Sequence, residues 1–290
     1  MIDLELVHFT TYRYRRPVAL GAHRMMLRPR ESRDVRILSH SVTVTPESPV
    51  TWAHDVFGNA VATAALAAVT DLLVIEARTR LHLDAKAGPV FDITAAAATY
   101  PFTYEDADLI DLGPLLQPQY VDVHGRLRDW ARAFVAGPAT DTLSLLKDMN
   151  AGLSAWVFYQ SRDAEGTQGP LETLDRGWGS CRDMAVLFIE AVRTLGFGAR
   201  IVTGYLYNPD NSQVGSMDQG STHAWAEVYL PGAGWIMFDP TNRSVGGANL
   251  IPVAVARDLR RVMPITGGFV GVPDDLLEMS VAVTVTPTVQ

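Results

Sequence analysis

The chain has 290 residues, 48% of them hydrophobic and 19% charged, which excludes disordered and fibrous classes. Its net charge of −8 argues against a polyanion as the main partner, so nucleic-acid binding is not expected. The single cysteine, Cys181, rules out an intramolecular disulfide. From the N-terminus, Leu4 to Phe9 alternates and Thr10 to Tyr14 continues in strand-favouring residues. Leu38 to Val44 alternates until Pro46. Val56 to Ala60 reads as a turn into another strand, and Leu72 to Ala77 as a further strand. Short strands with regular turn signals predict a β-sandwich.

Residues 86–125 carry little periodicity and are broken by Gly88-Pro89, Tyr100-Pro101, Gly113-Pro114 and Gln117-Pro118, as expected of a surface connector. Helical spacing then begins: Leu127, Trp130, Ala131 and Phe134 form one stripe, and Leu143, Leu146 and Met149 a second. The expected division is a β-sandwich over residues 1–95 and a second region, carrying the chemistry, over residues 96–290. Near the C-terminus, Ser280 to Thr286 alternates as a strand that completes a sheet, while Arg257 to Arg261 reads as a surface helix end or a segment near the cleft. No apolar run reaches the length needed to span a bilayer, and the first residues lack the basic and apolar regions of a signal peptide. The expectation is a cytoplasmic protein with no membrane partner.

The informative stretch is 177–242. Ser180 suits an N-cap, Asp183 three residues on resembles a capping box, and Met184, Phe188, Ala191 and Leu195 form an apolar stripe ended by Gly196. Cys181 therefore falls in the first turn of a buried helix, where unpaired N–H groups and the helix dipole favour the thiolate. Gly177 and Gly179 are read as leaving the sulfur open to approach. Ser221 to Leu230 and Trp235 to Asp239 form a hairpin about Pro231-Gly232-Ala233-Gly234. If Tyr229 pairs with Ala233 or Trp235, His223 and Asp239 become opposite or diagonal neighbours. A carboxylate there can fix the imidazole tautomer and leave the other nitrogen for the thiol. The remaining histidines show no metal-ligand spacing, so neither a metal nor a cofactor is expected. The loop from Tyr207 to Ser221 reads either as a border of a substrate cleft or as a solvated surface loop.

Gly179 to Asp183, Leu195 to Tyr205, His223 to Tyr229 and Trp235 to Asn242 together resemble the bacterial transglutaminase-like core. His8 to Tyr14, Leu27 to Arg30 and Asp55 to Asn59 resemble the β-rich region that precedes that core in bacterial relatives. The resemblance implies an α+β protein: an N-terminal β-sandwich, then a papain-like core whose nucleophile helix packs on an antiparallel sheet. It implies Cys181 as nucleophile, His223 as general base and acid, and Asp239 as its orienter. The implied chemistry is attack on a carboxamide to form a thioester. Hydrolysis of a peptide or protein amide is the expected outcome. Transamidation with an amine acceptor and a non-catalytic peptide-binding module are the alternatives. The Cys181 N–H is the expected first oxyanion donor, and Tyr159, Gln168 and Trp178 are candidates for the second. Substrate identity and oligomeric state are not legible.

Overall fold

The structure is a computed structural model that describes residues 2–162, 166–215 and 220–288. The N-terminal strands are β1 (Ile2–Leu20), β2 (His23–Met25), β3 (Val35–Thr45), β4 (Val50–His54), β5 (Ala60–Ala64) and β6 (Val69–Leu83). The connector contains β7 (Thr99–Tyr100) and α1 (Asp106–Leu112). There follow α2 (Arg126–Arg132), β8 (Thr140–Asp141), α3 (Thr142–Trp156), β9 (Phe158–Tyr159), α4 (Pro170–Arg176), β10 (Trp178–Gly179) and α5 (Cys181–Thr194). The second large sheet uses β11 (Ala199–Tyr207), β12 (Gly220–Leu230), β13 (Gly234–Asp239), β14 (Ser244–Val245) and β15 (Leu250–Ala256). The chain ends through β16 (Ile265–Thr266), β17 (Phe269–Val270) and β18 (Leu276–Pro287).

The fold is α+β, as expected. In β1 the alternation of the sequence becomes alternation of environment: Leu4, Leu6, His8 and Thr10 are buried between partly exposed neighbours. One sheet runs β17-β1-β6-β3 with β18 also on β1, and a second runs β16-β2-β5-β4. Tyr14, Val18, Val44, Leu73 and Ile75 of the first meet Met25, Ala62 and Ala64 of the second in one apolar cluster, which makes the sandwich. The strand over 280–286 completes a sheet, but it is the first one: Leu4 pairs with Pro287 and Tyr12 with Met279. This last strand of residues 96–290 satisfies its backbone groups against β1.

The antiparallel sheet β14-β13-β12-β11-β15 carries α5. Residues 183–193 of this helix are all buried, with Phe188 stacked near Phe238 at 5.4 Å between ring centres. Two of the three segments that resemble the family's N-terminal region, Leu27 to Arg30 and Asp55 to Asn59, dock the sandwich onto this sheet. Arg30 N–H donates to the Pro252 carbonyl at 2.7 Å. Asn59 binds Val255 at two points, donating from Nδ2 to its carbonyl at 2.8 Å and accepting its N–H on Oδ1 at 2.9 Å. Leu4, Leu6, Leu81 and Leu83 also share one apolar cluster with Phe188, Ile201 and Phe238, so the sandwich and the second sheet bury each other's surface. Among the described residues no helix is long and apolar enough to cross a membrane.

Candidate active site

Cys181 is the first residue of α5 and is partly exposed. The helix start is held by Asp183, whose fully buried carboxylate accepts from Ser180 N–H at 2.9 Å, Ser180 Oγ at 2.7 Å and Gln168 N–H at 2.8 Å. Arg162 adds an ion pair to Asp183 at 3.0 Å. The acidic half of the expected capping box therefore forms, while the Ser180 hydroxyl donates to the carboxylate. These charge-assisted bonds outweigh burial and keep the Asp183 carboxyl below its ordinary range.

Gly177 and Gly179 serve a purpose other than the expected open approach. Gly177 is the left-handed C-cap of α4, with φ 66°. Gly179 is buried, and a Cβ there would lie 3.0 Å from Asp183 Cβ and 3.2 Å from Thr173 Cγ2. Both glycines let the chain turn from α4 into α5. β10 is fixed in parallel to β9, with Gln160 N–H donating to the Gly179 carbonyl at 2.9 Å.

The hairpin takes the Tyr229–Trp235 register, one of the two expected. Continued beyond Ala226–Phe238, it sets Trp225 opposite Asp239 and His223 diagonal to it. His223 Nε2 lies 2.8 Å from Asp239 Oδ2, with both side chains buried. The other ring nitrogen, Nδ1, is buried and has no fully formed hydrogen bond among the described residues, and Cys181 is among the groups that act on this imidazole. Trp225 lies parallel to the imidazole at 6.0 Å.

The three groups shift one another. Burial pushes the Cys181 thiol up, but hydrogen bonding and charge from His223, joined by the Ala224 N–H, outweigh it and leave the thiol below its ordinary value. Burial pushes His223 down, yet the charge and hydrogen bond of Asp239 together with Cys181 raise it to about 10. Asp239 is held below its usual range despite burial, by His223 and by Asn242. All three directions favour thiolate, imidazolium and carboxylate. Asp239 is further fixed through Oδ1, which accepts Thr241 N–H at 3.0 Å and Asn242 N–H at 3.3 Å.

Of the three oxyanion candidates, Tyr159 has Cys181 among its electrostatic neighbours. Gln168 is buried beside the helix cap, its Nε2 3.5 Å from the Trp178 carbonyl, and the Trp178 ring lies under Arg176. Two contributors escape sequence reasoning, the Ala224 N–H and the Asn242 side chain. A strand residue after the histidine and a turn residue after the aspartate carry no chemical signal of their own. Within Arg257 to Arg261, Leu259–Arg261 forms a 3₁₀ turn capped by Asp258. Among the described residues no three His, Cys, Asp or Glu are grouped to hold a metal.

Residues 128–240 match the transglutaminase-like superfamily, and residues 4–82 match the bacterial transglutaminase-like N-terminal region. The chain thus carries a transglutaminase-like core preceded by a bacterial transglutaminase-like N-terminal region. An uncharacterised protein of Mycobacterium leprae is 26% identical over 98% of this chain and 99% of its own length. An uncharacterised Mycobacterium tuberculosis protein is 27% identical over 90% of this chain and 86% of its own. The fold is shared with a candidate cysteine protease of Cytophaga hutchinsonii, with TM-score 0.77 and 21% identity over 100% of this chain and 91% of that one. This transglutaminase-like chain thus has relatives of the same two-part build.

Proposed function

We propose that this protein is a cysteine-dependent amide hydrolase acting on a peptide or protein carboxamide, with Cys181, His223 and Asp239 as its triad. The observation that carries the reading is His223 buried between Asp239, at 2.8 Å, and the Cys181 thiol. The Cys181 thiolate adds to the carbonyl carbon, and the C=O π electrons move to oxygen, beside the Cys181 N–H at the helix start. The imidazolium passes its Nδ1 proton to the amide nitrogen, the C–N bond breaks, and the amine leaves a thioester. Nδ1 then takes a proton from water as the oxygen attacks the thioester. Sγ departs as thiolate and the carboxylic acid is released.

Water is the acceptor favoured here, since Cys181 is a partly exposed residue and water is the acceptor that reaches it in greatest abundance. The test supplies a glutamine-bearing protein with a fluorescent primary amine. Hydrolysis predicts ammonia or new termini without fluorescence in the product. Stoichiometric fluorescent product would replace hydrolysis with transamidation. No turnover in either arm, with an unreactive thiol, would favour a peptide-binding module.

A further inference from the structure

The segment after β11 is tied down by two asparagines acting on consecutive residues. Asn208, fully buried, accepts the Gln213 N–H on Oδ1 at 3.0 Å and donates from Nδ2 to the Gln213 carbonyl at 3.5 Å. Val214 is gripped in the same manner by Asn242. Its N–H donates to Asn242 Oδ1 at 2.7 Å, and its carbonyl accepts from Asn242 Nδ2 at 3.4 Å. The same Nδ2 donates at 2.8 Å to Asp239 Oδ2, the oxygen that takes His223 Nε2. Gly215 follows with φ 87°, and a Cβ on it would lie 3.2 Å from the Tyr159 hydroxyl. Tyr159 has Cys181 among its electrostatic neighbours. Hydrogen bonds therefore run from Asp239 through Asn242 to Val214, and the next residue, Gly215, lies beside the Tyr159 hydroxyl. Residues 216–219, the rest of the loop, lie outside the described residues.

We propose that Asn242 is a positioning residue that couples residues 208–215, as one wall of the substrate cleft, to the Asp239 carboxylate. The proposal rests on the triad reading given above. One amide serves both sides, so displacing the wall costs Asp239 a hydrogen bond, and turning Asp239 releases Val214. A substrate side chain pressed against the wall is thereby sensed at His223. Asn208 does not touch Asp239 and anchors the wall alone.

These two attachments separate experimentally by alkylation of Cys181 with iodoacetamide and with the bulkier N-phenylmaleimide across pH. Thermal melting and circular dichroism confirm that each variant is folded. In Asn242→Ala, Asp239 Oδ2 loses its amide partner and only the two N–H groups on Oδ1 still hold the carboxylate, so its grip on the imidazolium weakens. The alkylation midpoint is expected to rise by about one unit, a roughly tenfold slower reaction below it. The maleimide-to-iodoacetamide rate ratio is expected to rise severalfold as the wall loosens. Asn208→Ala is expected to raise the ratio but leave the midpoint in place. If Asn242→Ala does not fold, Asn242→Ser, too short to reach both partners, is expected to move both readouts in the same directions. A midpoint that stays or falls in the folded Asn242 variant would overturn the proposal. A fall would mean that Asn242 only tempers the carboxylate, whose pull on the imidazolium then strengthens. An equal midpoint shift in Asn208→Ala would also overturn it, as general loosening. Failure of the triad reading looks different, because wild type and His223→Ala would then share one profile.

Discussion

His223 divides its work between two nitrogens, one toward Asp239 and one toward the thiol, and that division needs the charge of Asp239 as well as its shape. Asp239→Asn keeps an acceptor near Nε2 and removes the charge that favours the imidazolium. The alkylation midpoint of Cys181 is then expected to move up by about 1–2 units, read from pseudo-first-order rates across pH. An unmoved midpoint would mean that another group sustains the ion pair. The placement of Cys181 at a capped helix start, and of His223 and Asp239 on the two strands of one hairpin, is legible in the sequence because each element is marked by its own local pattern. Asn242 and the Ala224 N–H are not, since their roles exist only where separate segments meet.

At the scale of the element, α5 owes its position to a buried carboxylate. Asp183→Ala would strip the acceptor from the Ser180 and Gln168 N–H groups and remove the ion pair that Asp183 makes with Arg162. The expected loss is on the order of 3 kcal/mol, measured by urea unfolding, and a loss below about 1 kcal/mol would show that the helix start is held elsewhere. The capped helix is readable from periodicity, but the use of Gly177 and Gly179 is not, because it depends on where α4 ends and what Asp183 touches. Gly204 in β11 has a similar constraint. A Cβ there would lie 2.1 Å from the Ile251 carbonyl oxygen and 2.8 Å from Trp225 Cη2. Both neighbours are fully buried. Gly204→Ala is expected to cost several kcal/mol, on the order of an overpacked core, and to slow alkylation by displacing Trp225 from the His223 ring. A melting temperature within about 2 °C of wild type would contradict this.

Across the whole molecule, the sandwich braces the sheet that carries His223 and Asp239. Alternation reveals the strands of the sandwich, but no local pattern shows that β18 returns to β1 or that Asn59 binds Val255. Such pairings are decided by packing between distant parts of the chain. His8 on β1 meets Tyr205 on β11, with Nδ1 3.2 Å from the Tyr205 hydroxyl and Nε2 2.7 Å from Thr10 Oγ1. Burial lowers this imidazole from 6.5 to about 4. Between those values the unfolded chain takes up a proton that the folded chain does not, so stability falls as pH drops through that window. The loss amounts to about 3 kcal/mol at most. His8→Gln is expected to flatten this acid limb in urea unfolding followed from pH 7 to pH 4, and an unchanged slope would assign it to other groups.

The central claim is that Cys181 and His223 form an activated pair. It is tested most directly by the rate of iodoacetamide alkylation of the folded protein across pH, with Cys181→Ser as blank and His223→Ala beside it. The account predicts a midpoint well below about 8.5 for the wild type, moved up in His223→Ala. A slow thiol with an ordinary midpoint, indifferent to His223, would contradict it.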